Sequence, residues 1–254
     1  MSSVTESERI AATREPDAPV VLLQDWHHLL FLHWKIAPQL LQAMVPPELT
    51  VDTFDGNAYV AVVPFTMTGV RPVLTPPLPW ISAFHEVNVR TYVHREGKDP
   101  GVWFFSLDAS SPIAVAAARA MYHLTYYRSG IEFSATTKGV PVIDFTSVRD
   151  DVVGPKPANG RFRYSPSDGI AAAATPGTLE FFLVERYFLY AADESRQLYR
   201  AQVHHQPYPL QKAEVFECDE TLSWAAGIRH FGGQPLRHYA REVNVKVYPL
   251  ERCR

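Results

Sequence analysis

Prolines punctuate this chain so often that few stretches of it can hold a helix. Twenty-one are spread over 254 residues, four of them inside the run 71–80. Each removes a backbone donor and crowds the preceding helical turn, so prolines collect at strand ends and turns. The aromatic residues (14 Phe, 12 Tyr, 5 Trp) act in the same direction, because large rings favour strands and enclosed cores. The expected class is α+β and mainly antiparallel sheet, with few helices.

One stretch escapes the rule. Ser110, Ser111 and Pro112 supply a cap and a first-turn proline, and the alanine-rich run that follows, through His123, is the strongest helical signal. Shorter helices are expected at 37–43 and 221–226. Strand-like runs lie at 28–36, 58–64, 84–94, 101–107, 124–127, 131–136, 161–165, 178–184, 186–191, 197–203, 215–217 and 238–248, separated by Gly, Pro, Asn and Asp. Asp55-Gly56 marks a tight turn, and 97–100 joins a hairpin. Many strands and short turns suggest an antiparallel sheet closed or folded on itself. Residues 1–19 are polar and read as a flexible tail, followed by a single domain over 20–254 with no linker inside it.

Composition removes several function classes. Hydrophobic residues are 46% and charged residues 20%, which rules out wholesale disorder. A net charge of −3 argues against nucleic-acid and anionic-membrane partners, which need a concentrated basic face. Cys218 and Cys253 cannot build a disulfide framework. No apolar run approaches the ~20 residues of a membrane span, and the N-terminus lacks the apolar core of a signal peptide. The expectation is a cytoplasmic globule.

No motif for zinc, acyl, phosphate or dinucleotide chemistry occurs. Histidines pair as His27/His28 and His204/His205, but neighbours on a strand point to opposite faces. Neither a metal nor a cofactor is expected. The run Glu185-Arg186-Tyr187 reads as a buried ion pair with a satisfied phenol, hence core architecture. Trp26, Trp34, Trp80 and Trp103 likewise read as core.

The most informative stretch is 84–94. Glu86, Asn88, Arg90 and Tyr92 share one face, and Val87, Val89, Thr91 and Val93 the other. If the valine face is packed, the polar face inside a barrel is a cavity wall on which a carboxylate, an amide and a guanidinium fix a small polar ligand. The alternative is a solvent-facing side with cross-strand Glu–Arg pairs worth little energetically. The run 86–92 is echoed at 242–248 (EVNVRTY against EVNVKVY). A duplicated half-barrel would account for this, as would two alternating strands sharing residues by chance, and the second reading is preferred.

The ordered motifs LLFLHWKIAPQLLQAMVPPEL, DTFDGNAYVAVVPF, FHEVNVRTYV, GVWFFSLDASSPIAVAAAR and LEFFLVERYFLY together resemble the bacterial YqjF-like family over roughly residues 22–250. That family is similar in fold to acetoacetate decarboxylase: a cone-shaped antiparallel β barrel with a central cavity and a few helices. Acetoacetate decarboxylase works through a lysine that forms a Schiff base with a β-keto acid. The resemblance implies that Lys35 stands where the pocket arginine does and that Glu86 is a pocket glutamate. It also aligns Asp108 and Arg119 with the segment before the reactive lysine. Counting on from Arg119, that lysine's position holds Tyr126, and the following lysine matches Tyr127. A phenol cannot form an iminium, so decarboxylation by that route is not expected.

Three functions follow. The first is binding of a small carboxylate or keto compound by Lys35, Asn88, Arg90, Asp108 and Arg119, with Trp34, Phe84, Phe105 and Tyr126 over its apolar part. The second is a lyase or hydratase using Glu86 and Tyr126 as base and acid. The third is a non-catalytic scaffold with a filled barrel. Exposed aromatics permit a homo-oligomer.

Overall fold

A computed structural model describes residues 3–78, 81–229 and 233–253 of the chain. In chain order the elements are α1 (Glu6–Ala12), β1 (Leu22–Ile36), α2 (Pro38–Gln42), β2 (Thr50–Val51), β3 (Ala58–Pro72), β4 (Phe84–Arg95) and β5 (Lys98–Ala109). Then come α3 (Pro112–Tyr122), β6 (Tyr126–Ala135), β7 (Ile143–Arg149), β8 (Asn159–Pro166), α4 (Leu179–Val184) and β9 (Phe188–Ala192). The chain closes with β10 (Leu198–His205), β11 (Leu210–Glu220), α5 (Leu222–Ala225), β12 (Leu236–Val247) and β13 (Glu251–Arg252). The expected sheet-dominated α+β fold is what forms. No helix among the described residues is long and apolar enough to cross a membrane.

All the strands join one sheet, and two extra pairings, β4–β5 and β10–β12, close it on itself twice. One circuit runs β1-β3-β4-β5-β9-β10-β12, and the other runs β1-β3-β4-β5-β6-β7-β8-β11-β12. The pairs are antiparallel except β5 with β6 and β5 with β9. Helix α3 supplies the crossover that the parallel β5–β6 pair requires.

The strip β1-β3-β4 belongs to both circuits, so both of its faces are interior. Tyr59, Ala61, Val63, Phe65 and Met67 of β3 pack into the first interior with Phe31 and Val203. Val60 and Val62 pack into the second with Leu30, Val87, Val89, Phe145 and Phe162. Strand alternation thus serves two cores at once, and the valine face of β4 is packed as its pattern suggested. The echoed run in β12 points the other way: Val243, Val245 and Val247 face the first interior. The two segments share an alternation, not an equivalent place.

β1 changes parity midway. His28 has φ 53°, and the register against β3 slips by one residue just after His27, from His27↔Thr66 to Leu32↔Val62. This bulge turns residues 29, 31 and 33 to the side that 22, 24 and 26 occupied before it.

Several segments differ from the expected elements, among them β7, where no strand was expected. Residues 178–184, expected as a strand, form α4: the Thr178 side chain accepts from the Phe181 N–H, and Phe181, Phe182, Leu183 and Val184 are all buried. Four consecutive buried apolar residues, with only Glu180 exposed in this helix, show no 3.6-residue alternation, so periodicity cannot separate it from a strand. The N-terminal segment, expected as a flexible tail, carries α1, and Arg9 forms a two-pronged ion pair with the buried Asp52 at 2.6 and 2.7 Å. A partner 43 residues away decides this. β3 also runs on to Pro72, into the proline-rich stretch expected as a loop.

Removing packing from the second interior tests this double use of the strip. Leu30→Ala should cost about 2–5 kcal/mol of unfolding free energy in urea. Leu40→Ala, at a residue 48% exposed, should cost under about 0.5 kcal/mol.

Candidate functional site

The first interior is hollow. A cavity of about 340 Å³ is walled by apolar side chains including Trp26, Phe65, Phe84, Phe104, Leu107 and Val203. Ala114, Ala117, Ala118 and Met121 close one side, which is one face of α3 at helical spacing. Ala117 and Met121 are exposed, so the cavity opens to solvent beside that helix. Against this apolar lining stand Glu86, Asn88, Arg90, Tyr126 and Arg186.

Glu86 and Tyr126 meet across β5. In register, Glu86 stands opposite Ala109 and Leu107 lies beside Tyr126, so the two are two strands apart, about 10 Å. A glutamate and a tyrosine are long enough to span that gap over the small Ala109. The Tyr126 hydroxyl donates to Glu86 Oε2 at 2.6 Å, and Asn88 Nδ2 donates to Oε1 at 3.2 Å. Glu86 is 2% exposed, and burial pushes its carboxyl up to about 7 despite those donors and Arg90. Burial and the adjacent carboxyl hold the Tyr126 phenol well above its ordinary value.

The start of β6 is held by α3. Ser111 caps the helix by accepting from the Ala114 N–H, and Arg119 Nε donates to the Tyr126 carbonyl at 2.8 Å. Arg90 is 8% exposed, lies 5.7 Å from the Phe31 ring centre and has no carboxylate within ion-pairing distance among the described residues. Its Nε and the Asn88 Oδ1 are buried without a hydrogen-bond partner. At the same end, Arg186 donates to Asp52 Oδ2 at 2.7 Å and to the Phe182 carbonyl at 2.6 Å.

The structure brings Glu86, Asn88, Arg90 and Tyr126 together and moves the other expected ligand residues elsewhere. Lys35 is exposed near the end of β1, two residues past the buried His33, which bonds the Tyr92 hydroxyl, and it is not among the lining residues. Asp108 points away from the cavity because its neighbour Leu107 points in; it accepts from Arg149 at 2.7 and 2.6 Å and from Ser129 at 2.6 Å, fully buried. Arg119 sits outside, on Asp151 at 2.8 Å. Trp34 and Phe105 pack into the second interior. For Phe105 the cause is a register shift: Val89 pairs Ser106 but Arg90 pairs Phe104, which hands the cavity wall to Phe104.

None of the six lysines lines the cavity; all are exposed except Lys246, which pairs with Glu15 at 2.6 Å. Arg186, read from the sequence as core architecture, is a cavity residue that reading missed, as is Arg71. Tyr187 is satisfied by Glu185 at 2.5 Å as expected, but the aspartate that Arg186 meets lies 134 residues away. Trp26 lines the cavity, and Trp80 lies outside the described residues.

This arrangement of sheet, crossing helix and hollow is the acetoacetate decarboxylase-like fold. Over 93% of the chain it superposes with TM-score 0.66 on 90% of the enduracididine biosynthesis enzyme MppR in complex with the condensation product of pyruvate and imidazole 4-carboxaldehyde, at 12% identity. Over its whole length it superposes on 96% of acetoacetate decarboxylase from Legionella pneumophila, with TM-score 0.62 and 12% identity. An acetoacetate decarboxylase-like enzyme from Sphingomonas wittichii matches with TM-score 0.60 and 13% identity over 93% of this chain and 94% of that one. Residues 23–244 match the DUF2071 family, described as an uncharacterized conserved protein, and the chain belongs to that family. It is 36% identical over 237 residues, 93% of this chain and 94% of the relative, to the uncharacterized protein YqjF of Bacillus subtilis.

Two outcomes are expected. A carboxyl ordinarily at 4.5 and raised to about 7 binds more protons folded than unfolded between those values. Its contribution to stability is complete below pH 4.5 and declines as pH rises through 7. From pH 5 to pH 8 the wild type should therefore lose up to roughly 3 kcal/mol relative to Glu86→Gln in chemical unfolding. Asp108→Asn should cost about 3–5 kcal/mol at pH 7 in chemical unfolding by leaving Arg149 buried and underpaired.

Proposed function

We propose that this protein binds a small carboxylate bearing a keto group in the hollow of its first circuit. The observation that carries this reading is Arg90: a buried guanidinium in an apolar cavity with no carboxylate partner among the described residues. A buried cation is costly unless paired, and a ligand carboxylate supplies the pairing. The apolar lining takes the carbon chain, and Tyr126 and Glu86 stand where a carbonyl oxygen needs a donor. Once protonated, Glu86 can donate to the Tyr126 oxygen, which frees the phenol O–H for the ligand. A protein of the same fold is captured with a pyruvate condensation product, which supports the keto-acid class by analogy of fold.

A second reading, acid–base chemistry of lyase or hydratase type, is favoured by one further observation. A carboxyl near 7 matches a general base working near neutrality. Glu86 would take a proton from the carbon beside the carbonyl while Tyr126 hydrogen-bonds the oxygen on which charge develops. The absence of a cavity lysine fits either reading and leaves no amine for an imine.

Calorimetric titration with 2-oxopentanoate tests the binding. The wild type should bind it, and Arg90→Met should weaken binding about ten- to a hundredfold. No binding, or equal binding by the variant, overturns the reading. Exchange of the 2-oxopentanoate C3 hydrogens into deuterated water, followed by NMR and lost in both Glu86→Gln and Tyr126→Phe, would establish the acid–base role. No exchange by the wild type would leave binding alone.

A further inference from the structure

Behind the cavity one carboxylate serves two guanidiniums. Asp52, 3% exposed, accepts from Arg9 at 2.6 and 2.7 Å and from Arg186 at 2.7 Å. The cluster therefore carries one net positive charge. Arg186 borders the cavity, lies 4.7 Å from the Tyr92 ring centre and 4.3 Å from that of Phe182, and keeps a buried Nη2 with no partner. Arg90, two residues before Tyr92 on the same face of β4, adds a second charge with no carboxylate in ion-pairing distance among the described residues, and both it and Arg186, which lies against the Tyr92 ring, line the hollow. A further cation, Arg71, stands half-buried among the lining residues and donates to the Gly69 carbonyl at 2.8 Å.

A single carboxylate neutralises Arg90 and leaves the second excess charge uncompensated in a low-dielectric setting, which is costly. We infer that the ligand is a dicarboxylate, with one carboxylate on Arg90 and the other on the Arg186 side, and that Arg9 of α1 is a positioning residue that creates the demand for the second. This rests on the carboxylate-binding reading above and deepens it. Without Arg9, Asp52 would neutralise Arg186 outright, and a monocarboxylate would suffice. Because the two guanidiniums come from β4 and from the α4–β9 connection, the charges they meet sit at separate points of the ligand. Inorganic phosphate, with both charges on one group, fits less well.

The test is calorimetric titration of the full chain at pH 6, where Glu86 keeps its proton, with 2-oxoglutarate and 2-oxopentanoate. These probes share a five-carbon keto acid and differ by the second carboxylate. The wild type should bind 2-oxoglutarate at least tenfold more tightly. Arg9→Met should bring the ratio to about one while changing 2-oxopentanoate affinity less than about threefold, and Arg9→Gln should do the same if the methionine variant does not fold. Equal wild-type affinities, a ratio that survives loss of Arg9, or phosphate binding as tight as 2-oxoglutarate each overturn the inference while leaving the monocarboxylate reading standing. Binding of neither keto acid overturns both.

Discussion

The two-sided burial of the β1-β3-β4 strip is the constraint on which the rest depends. A strand usually buries one face and wets the other. Here Val60 and Val62 of β3 and Val87 and Val89 of β4 fill the second interior. The opposite face of β4 is then free to be polar without facing bulk water, and it puts Glu86, Asn88 and Arg90 on the wall of a hollow. The apolar core on one side is what makes a polar cavity on the other stable enough to exist.

The chemistry of that hollow follows from its dryness. Burial raises both Glu86 and Tyr126, so the pair shares its protons instead of carrying charge. The same dryness strengthens the field of any guanidinium left unpaired. Tyr126 stands at the start of β6 in the cavity lining, and none of the lysines is among the lining residues. What remains is a hydrogen-bonding and acid–base couple beside a cation, which suits recognition of an oxyanion and a carbonyl more than covalent capture.

The far side of the hollow shows how distant segments combine. Arg9 comes from a seven-residue helix at the N-terminus, Asp52 from the connection after β2, and Arg186 from the residue pair before β9. None of these positions stands out locally. Together they set the sign of the charge behind the cavity, because one aspartate cannot balance two arginines.

Local pattern alone determined a good part of this protein. Prolines and aromatics made it a sheet protein, the alanine run after Pro112 made α3, and the alternation at 84–94 put Glu86, Asn88 and Arg90 on one face. Those statements hold because strand and helix periodicity are properties of a few neighbouring residues. Tertiary structure decided which alternations meet. The bulge of β1 against β3 at residues 28–31 and the register shift at Phe105 each reverse a face, and hand the lining to Leu29 and Phe104. Burial of Phe181 to Val184 behind the Thr178 cap made 179–184 a helix, and pairing partners across the chain drew Asp108 to Arg149 and Arg186 to Asp52. A single extra residue in a strand, or a charge whose partner is more than a hundred positions away, leaves no periodic trace, so only the packed chain could settle it.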